Sequence, residues 1–425
     1  MPFAILKNYI TINKRMDNLM KTIPLFILLN LFSQALLAQQ PLKPFPQHVV
    51  YTTGVIKPSH VSQQQMDDSV RNFYDSWKLL YLRKDAGKGQ YYVWVKGSAG
   101  IMQCVSEGQG YGMIIVSLMA GYDTGAQKIY DGLFAYYKAH PTSSSKYLMA
   151  WSQTKNFKDQ DGTSATDGDM DIAYSLLLAN AQWGSSGAIN YLQQGQAMIA
   201  AILQQEINPV SFSVMLSNAI MPDSKDYFDM RSSDFMPAHY KAYKHFTGDS
   251  SWDKVIAANY KLFGFMQKKY SGDAGLVPDF IQHINKKPIP AKANYLESPY
   301  DGLYNYNACR VPWRIATDYI LYGDERAKKM VGKINKWIKE TTQGKPDNIS
   351  AGYTLAGNDI HGRYFEAMSF ISSFAVGAMV DKANQTWLNK LWDYIFSFRI
   401  GEYDYYDNTI KMLELIIISG NYWRS

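Results

Sequence analysis

The sequence predicts one predominantly α-helical domain in which paired helices wrap into a closed ring. Apolar residues recur at a spacing of three to four through most of the chain after residue 60, and strand-like segments are few and short. No linker or change in composition divides this part of the chain, and 47% hydrophobic residues are enough for a sizeable core. We therefore assign residues 61–425 to a single all-α domain.

About a dozen helices are predicted after an extended N-terminal segment, residues 39–60, that contains Pro and Gln. The strongest strand candidate is YYVWVKG at 91–97. No fixed-period repeat is present, so we expect a ring of helix pairs rather than a solenoid. Loops at one end of such a ring would bring residues that are distant in sequence into one cleft. The clearest helical segments are 61–84, 112–122, 126–140, 171–184, 189–207, 233–248, 253–270, 309–323, 326–342, 369–380 and 386–399.

The N-terminus has the layout of a secretory signal peptide, which we assign to residues 1–38. In MKTIPLFILLNLFSQALLAQQ, a Lys precedes an apolar run that is too short and too polar for a membrane span. Translation could begin at Met16 or Met20. The predicted cleavage site is near Ala38, with Ala35 as the alternative. We expect a secreted or periplasmic protein without stable membrane insertion after cleavage.

Charge and cysteine content exclude several classes of protein. Cleavage after residue 38 removes four basic side chains and one acidic one, so the net charge falls from +6 to about +3. So small a charge, without a long basic run, argues against nucleic-acid binding. Two cysteines, Cys104 and Cys309, exclude a disulfide framework, but a single bridge and two free thiols both remain open.

Motifs for metal or triad chemistry are missing from the sequence. It has no H-E-x-x-H and no G-x-S-x-G, and its seven His are scattered. Met113 stands where a dinucleotide fingerprint that begins at Gly108 would need its third glycine. We therefore expect no metal and no cofactor. We also expect the chain to be a monomer.

Two stretches hold carboxylates in unusual surroundings. Glu107 lies among glycines in CVSEGQGYGM, where it could be a general acid or could lie in the first turn of a helix capped by Ser106. ATDGDMDIAY places Asp167, Asp169 and Asp171 within five positions. The pattern fails as an EF-hand loop, because the required Gly and Glu are missing. A helix N-terminus explains one or two of these acids, but not all three.

A third stretch, NYLESPYDGLYNYNACRVPWR, holds Glu297 in a loop of polar and aromatic residues. Arg310 and Arg314 follow four residues apart, so they share one helix face. Arg310 could hold a carboxylate or a sugar hydroxyl. A surface loop with a structural ion pair remains the alternative interpretation.

These motifs together resemble glycoside hydrolase family 8, from about residue 50 to the C-terminus. ATDGDMDIAYSLLLANAQW resembles the signature of that family, and SEGQGYGM resembles the segment that carries its proton donor. RSSDFMPAHY and YNACRVPWRIATDYILYGD resemble further family segments. The resemblance implies an (α/α)6 barrel and an inverting reaction with Glu107 as the general acid. It also implies that Asp167 holds the sugar at the cleavage point, while Asp169 and Asp171 are structural.

The general base is where the sequence departs from the best-known members of that family, which have Asp in Y-D-A-x-R. Here the segment reads YNACR, and Asn307 cannot accept a proton from water at neutral pH. One branch of the family has Asn at this position and takes its base from a Glu in an upstream loop. The resemblance to that branch implies that Glu297 is the base and that Asn307 positions the water.

The resemblance leads us to expect a secreted, inverting endo-β-1,4-glycan hydrolase. Chitosan is the first candidate polymer, because the overall similarity leans toward chitosanase-like members and because Asp167, Asp301 and Glu297 could bind a cationic chain. Mixed-linkage β-glucan or cellulose is the alternative. A non-catalytic carbohydrate-binding protein that has lost the usual base is the lesser alternative.

Aromatic residues make up 14% of the chain, and sugar-binding clefts use flat aromatic faces. The predicted substrate-binding residues are Tyr111, Trp151, Tyr306, Asn307, Arg310 and Trp313. The four aromatic residues in this set could stack on sugars or shape the cleft, but each of them could instead belong to the core. The polysaccharide is the only binding partner that we expect.

Overall fold

The computed structural model describes residues 40–95, 102–360, 367–402 and 404–425. The predicted signal peptide and its cleavage site lie outside these residues. Residues 41–425 belong to one compact unit. Among the residues that the structure describes, no helix is long and apolar enough to cross a membrane.

The described residues form twelve α-helices. In chain order, these are α1 (Gln63–Tyr81), α2 (Ser106–Leu118), α3 (Ala126–Ala139), α4 (Thr166–Trp183), α5 (Tyr191–Gln205), α6 (Pro237–Thr247), α7 (Ser251–Met266), α8 (Val311–Tyr322), α9 (Glu325–Thr341), α10 (Met368–Ala378), α11 (Gln385–Phe396) and α12 (Tyr405–Ile418). Gly248 and Gly323 end α6 and α8 in the left-handed conformation, which leaves a glycine little strain.

The even-numbered helices form an inner ring. Each packs against the next, from α2 through α4, α6, α8 and α10 to α12, and the ring closes because α12 packs against α2. Most of these helices are buried on nearly all sides, since α2 buries 12 of its 13 residues and α8 buries 11 of 12, whereas α6 buries 6 of 11. Helices with this pattern lie at the centre of a protein rather than at its surface.

The odd-numbered helices form an outer layer. α3, α5, α7, α9 and α11 each pack against the inner helix that precedes them, and α1 packs against α12. Each presents one apolar stripe to the inner ring, so that α1 buries only 7 of its 19 residues and α9 only 7 of 17. Six helix pairs closed in a ring are an (α/α)6 barrel, which confirms the predicted fold.

Helix α12 is the inner helix that the sequence patterns did not single out. It buries 13 of its 14 residues, including the run from Ile416 to Ile418. Its buried residues include Asp407, Lys411 and Glu414 as well as apolar ones, so polar and apolar residues do not separate onto two faces, and that separation is what predicts a surface helix.

Short antiparallel strands lie in the connections between helices. The strands are β1 (Leu82–Arg83) with β2 (Tyr92–Val93), β3 (Met102–Val105) with β4 (Ser152–Thr154), and β5 (Met230–Arg231) with β6 (Phe280–Gln282) and β7 (Ile289–Pro290). The predicted strand at 91–97 is shorter than expected, because only Tyr92–Val93 form strand pairs among its described residues. The strands matter because β3 runs directly into α2 and β5 leads toward α6.

Two glycines let α2 and α4 approach closely. A Cβ atom added at Gly168 would lie 2.3 Å from Ser106 Oγ and 2.7 Å from the backbone nitrogen of Glu107. A Cβ atom added at Gly110 would lie 2.7 Å from the Cβ atom of Asp171. Only glycine fits at these two positions, and the close approach brings the N-terminal ends of both helices together.

Both cysteines are buried and free. Cys104 lies in β3, and Cys309 lies in the turn before α8. Of the two arrangements that the sequence left open, the structure therefore has two separate thiols.

Candidate active site

The N-terminal ends of the inner helices surround a cavity of about 400 Å³. Glu107 is the second residue of α2, and Asp167 is the second residue of α4. Arg310 ends the turn that leads into α8, and Tyr405 is the first residue of α12. The barrel thus brings together side chains that are distant in sequence, as predicted for loops at one end of a ring.

Seven of the nine predicted site residues line this cavity. They are Glu107, Trp151, Asp167, Glu297, Tyr306, Asn307 and Arg310. Trp151 and Tyr306 are half-buried, and the indole nitrogen Nε1 of Trp151 donates to Asp161 Oδ2 at 3.0 Å. That hydrogen bond fixes the orientation of the indole ring at the cavity wall.

The other two predicted residues, Tyr111 and Trp313, are buried behind the cavity. The hydroxyl of Tyr111 accepts a hydrogen bond from Arg310 Nη1 at 3.0 Å. The ring of Trp313 packs against the guanidinium group of Arg314, with 4.0 Å between the guanidinium carbon and the ring centroid. Both aromatic residues therefore support arginines, which fits the core alternative rather than sugar stacking.

Arg310 is the centre of the polar network. Its Nη1 donates to Glu107 Oε2 at 2.7 Å and to Asp167 Oδ2 at 2.9 Å. Its Nη2 donates to Asn307 Oδ1 at 2.9 Å. The guanidinium group is buried, so these charge-assisted contacts act without screening by bulk water. One arginine thus fixes three side chains from α2, α4 and the turn before α8.

Glu107 and Asp167 have opposite pKa shifts although they share this guanidinium group. Burial raises the pKa of Glu107, and the charge of Asp167 raises it further, against the opposing effect of Arg310. Burial alone would raise the pKa of Asp167 as well, but the positive charges of Arg231 and Arg310 outweigh it and lower the pKa. Glu107 therefore favours its protonated form, and Asp167 stays ionised.

Glu297 lies on a loop but is held at both carboxylate oxygens. Asn307 Nδ2 donates to Oε2 at 2.7 Å, and Arg231 Nη2 donates to Oε1 at 2.8 Å. The carboxylate of Asp301 accepts hydrogen bonds from the backbone nitrogens of residues 296, 297 and 298, at 2.7 to 3.0 Å. The side chain of Glu297 remains 43% exposed, so water can reach it.

The three aspartates of ATDGDMDIAY each have a different partner. Asp167 faces the cavity and Arg310, whereas Asp169 accepts a hydrogen bond from the backbone nitrogen of Met149 at 2.8 Å. Asp171 pairs with Arg314 through two contacts of 2.9 and 2.5 Å. Helix residues two apart point in different directions, so Asp169 lies away from the other two. Asp167 and Asp171 are four apart and share a helix face, but each is paired with its own arginine, Arg310 or Arg314.

Burial also acts on the charge of one of these aspartates. It raises the pKa of Asp169 well above its usual value, and the neighbouring carboxylate of Glu206 raises it further. The protonated form of Asp169 is therefore favoured, which reduces the negative charge that the three aspartates bring to the helix N-terminus.

Arg231 and Tyr405 are functional candidates that the sequence analysis did not identify. Arg231 lines the cavity and contacts Glu297, while the hydroxyl of Tyr405 donates to Glu107 Oε1 at 2.7 Å. Arg231 begins RSSDF, a segment that already resembled the family, so this resemblance could have drawn attention to it. Tyr405 has no local signal, because it lies 298 residues from the carboxylate that it contacts.

Metal ligation has no support among the described residues, which contain no group of three or more His, Cys, Asp or Glu side chains suited to hold an ion. The carboxyls at the cavity are instead bound by arginines, an amide and a tyrosine hydroxyl. The arrangement suits proton transfer between paired carboxyl groups.

Comparison with known proteins identifies the family. The sequence model of glycosyl hydrolases family 8 matches residues 44–420. The chain belongs to glycosyl hydrolase family 8. It is therefore a glycoside hydrolase, which confirms the resemblance of its motifs, and the inverting mechanism is general to this family.

Two relatives of this family 8 hydrolase are similar over most of their length. A protein named Beta-glucanase from Niallia circulans is 46% identical over 384 residues, which cover 90% of this chain and 92% of the relative. A protein named Endoglucanase from Bacillus sp. (strain KSM-330) is 41% identical, over 92% of this chain and 84% of the relative.

Solved structures give the same family 8 fold. The structure named Beta-1,3-1,4-glucanase from Paenibacillus sp. X4 has a TM-score of 0.86 and 45% identity, covering 90% of this chain and 99% of that chain. Rex8A from Paenibacillus barcinonensis has a TM-score of 0.71 at 16% identity, over 85% of this chain and 94% of that chain. The second match is a similarity of fold alone.

Proposed function

We propose that this family 8 hydrolase is an endo-β-glucanase that cleaves mixed-linkage β-1,3-1,4-glucan, with Glu107 as general acid and Glu297 as general base. The observation that carries the proposal is the chain of contacts from Glu107 through Arg310 and Asn307 to Glu297. It places two carboxyls of different environment on one cavity without direct contact between them. An inverting reaction needs such a gap, because a water molecule must fit beside the base.

The reaction follows from the positions of these groups. Protonated Glu107 donates its proton to the glycosidic oxygen as the bond to the anomeric carbon breaks. Glu297 takes a proton from a water molecule, whose oxygen attacks the anomeric carbon from the opposite face. Carboxyl separations of about 6.5–9.5 Å are typical of this mechanism. Asn307 cannot act as the base, but its amide links the base to Arg310.

Asp167 has a different role in this proposal. It is ionised, buried beside Arg310 and in the wall of the cavity. An ionised carboxylate there accepts hydrogen bonds from sugar hydroxyls at the cleavage point and favours a distorted ring. Its charge also supports the protonated form of Glu107.

A neutral glucan suits the cavity better than chitosan. Asp167 is paired with Arg310, Glu297 is paired with Arg231, and Asp301 accepts hydrogen bonds from its own loop. Two of the acids proposed to bind a polycation are thus already paired with arginines, and the third is bound by its own loop, which leaves none of them free to bind an ammonium group.

The names of the relatives support the same order of substrates. Two similar proteins carry the names Beta-glucanase and Beta-1,3-1,4-glucanase. The sequence-based prediction that placed chitosan first is therefore not supported, and the alternative of mixed-linkage glucan or cellulose fits better. The lesser alternative, a non-catalytic binding protein, has less support because the chain belongs to a family of glycoside hydrolases and because Glu297 contacts Asn307, which stands at the position of the missing Asp.

The test is a substrate panel with wild type and Glu297→Gln. Release of reducing ends from mixed-linkage glucan, carboxymethylcellulose and chitosan should be fastest on the mixed-linkage glucan. Glu297→Gln should lower that rate by about 10³, within the range for a general base. Proton NMR of fresh products should show the α-anomer.

Glu325→Gln is the matched control, because Glu325 is exposed at the start of α9 on the outer layer. It should keep the wild-type rate. Faster cleavage of chitosan would overturn the substrate assignment. A wild-type rate in Glu297→Gln would overturn the assignment of the base while leaving the family unchanged.

A further inference from the structure

We propose that Arg231 is a positioning residue for the base, and that its guanidinium group holds the Glu297 carboxylate in the orientation that accepts a proton from water. This inference rests on the proposed function, since it needs Glu297 as the base. It adds a residue from a different part of the barrel to the catalytic arrangement.

The first support is the geometry of the contact. Arg231 Nη2 lies 2.8 Å from Glu297 Oε1, whereas its other acidic contact, from Nη1 to Asp234 Oδ2, is 3.8 Å long. Arg231 Nε is buried and has no hydrogen-bond partner in the part of the chain that the structure describes. The guanidinium group is thus oriented toward Glu297 even though one of its own donors remains unused.

The second support is the contrast in burial between the two side chains. Arg231 is 12% exposed, whereas Glu297 is 43% exposed. An exposed glutamate on a loop samples several rotamers, and a base that leaves its position loses its geometry for proton transfer. A buried arginine can restrict that motion because its own side chain is fixed.

The small sheet fixes Arg231. Arg231 lies in β5 and is paired in register with Phe280 of β6. Its guanidinium carbon lies 5.3 Å from the centroid of the Phe280 ring, which is fully buried. The strand pair and the cation–π contact hold the guanidinium group in place before substrate binds.

Arg231 and Asn307 act on different oxygens of the base. Asn307 donates to Oε2 from the side of α8, and Arg231 donates to Oε1 from the side of the sheet. Each oxygen keeps a lone pair for a water molecule, because a carboxylate oxygen accepts more than one hydrogen bond. With one donor on each oxygen, the carboxylate cannot rotate freely. A single donor would leave that rotation unrestricted.

The experiment compares Arg231→Ala, Arg231→Met and wild type on mixed-linkage glucan. We expect kcat to fall by about 10²-fold, the scale for a reacting group displaced by about 1 Å, with KM close to the wild-type value. Arg231→Met keeps an apolar stem against Phe280 and serves if Arg231→Ala fails to fold. Arg326→Ala is the control, because that arginine is half-exposed on the outer helix α9.

Two further measurements separate positioning from a structural role. Guanidinium ion at millimolar concentration should restore part of the kcat of Arg231→Ala, but not that of Glu297→Gln, with sodium chloride as the control. Arg231 also lowers the pKa of Asp167, so the double variant is assayed at a pH that keeps Asp167 ionised without Arg231. Adding Arg231→Met to Glu297→Gln should then cost little more than Glu297→Gln alone, because residues that act through one group are not additive.

The outcomes distinguish this inference from the proposed function. If Glu297→Gln is inactive while both Arg231 variants keep the wild-type kcat, the inference is wrong and the base assignment stands. A rise in KM alone, or an additive loss in the double variant, would also overturn it. If Glu297→Gln itself keeps activity, the assignment of the base fails first.

Discussion

Two neighbouring carboxyl groups that contact Arg310, those of Glu107 and Asp167, have opposite pKa shifts. Glu107 favours the protonated form because it is buried, while Asp167 is kept ionised by Arg231 and Arg310. The negative charge of Asp167 in turn raises the pKa of Glu107. A general acid must carry its proton at the working pH, and this pairing favours that condition for the proposed acid, Glu107.

Asp167→Asn should therefore move the alkaline limb of the pH profile. Glu107 has to be protonated to act, so kcat/KM falls as the pH rises through its pKa. Removing the charge of Asp167 removes a contribution that raises this pKa. Arg310, which already contacts Glu107, then neutralises one acid fewer and lowers the pKa of Glu107 further. We expect the limb at lower pH in Asp167→Asn than in wild type, measured as kcat/KM on the same glucan.

The test depends on the pH at which the alkaline limb falls, and not on the absolute rate. The rate of Asp167→Asn also falls, because Asp167 lines the cavity. Asp273→Asn is the control, since Asp273 is exposed and follows α7. A limb that stays in place or moves to higher pH would show that a group other than Glu107 sets it.

Residues with a local motif could be predicted, and residues without one could not. Glu107, Asp167 and Arg310 stand in segments that resemble the family, and the structure places all three on one cavity. Tyr405 could not be found, because its contact with Glu107 depends on the closure of the ring. Sequence also could not say that Tyr111 is buried, since an aromatic residue suits a core as well as a cleft.

Among the helices and strands, the close contact between α2 and α4 has the most direct effect on the geometry of the candidate site. These helices carry Glu107 and Asp167 in their first turns and touch where Gly110 and Gly168 lie. The absence of side chains at these two positions sets how far apart the two carboxyls are. A change there acts on the catalytic geometry through the backbone.

Gly168→Ala should separate the two helices. The new Cβ atom would meet the backbone of Ser106 and Glu107 at distances under 3 Å, so the helix ends must shift. Overpacking of this kind costs about 1–3 kcal/mol of unfolding free energy. We expect a lower melting temperature and a lower kcat, measured by thermal unfolding and by hydrolysis of mixed-linkage glucan.

Gly332→Ala is the matched control for that substitution. Gly332 lies inside the outer helix α9, and an added Cβ atom would have nothing within 4 Å. Alanine there should raise the free energy of unfolding by up to about 1 kcal/mol and leave kcat unchanged. Equal stability of Gly168→Ala and wild type would contradict the close approach of α2 and α4.

Most helices of both layers could be predicted. The outer helices show the three-to-four periodicity that an apolar stripe requires, and five of the six inner helices were also among the clear segments in the sequence. Helix α12 was missed because buried polar residues, among them Asp407, Lys411 and Glu414, interrupt its apolar residues. Two-residue strands such as β1 and β5 are too short for any alternation to be recognised.

At the scale of the whole molecule, the two ends of the barrel differ. One end holds the cavity, at the N-terminal ends of the inner helices. The other end is crossed by residues 41–57, whose backbone nitrogens donate to carbonyls at the C-terminal ends of five inner helices. These contacts are Leu42 to Gln182, Phe45 to Ala120, Val49 to Gly420, Thr52 to Ile320 and Ile56 to Met379, at 2.7 to 3.0 Å.

The sequence predicts that this segment is extended, but it does not predict that the segment binds the ends of the inner helices. Its partners are carbonyls in the last turn of an inner helix or within two residues after it, where no intrahelical donor is available. Such partners are backbone atoms, so no side-chain motif marks them. The number of helices predicts that the ring has six pairs. Only the structure shows that a single extended segment forms hydrogen bonds with five of the inner helices.

A chain that begins at residue 58 should therefore be less stable than one that begins at residue 40. Five backbone hydrogen bonds at about 1 kcal/mol each give a loss of at least about 5 kcal/mol in the free energy of unfolding, to which the lost burial of Phe45 adds. The kcat of the folded shorter chain should match that of the longer one, because the segment and the cavity lie at opposite ends of the inner helices. Denaturant unfolding and assays well below the melting temperature measure the two quantities separately. Equal stability would mean that water replaces these hydrogen bonds without cost, and a lower kcat would mean that the two ends of the barrel are coupled through the inner helices.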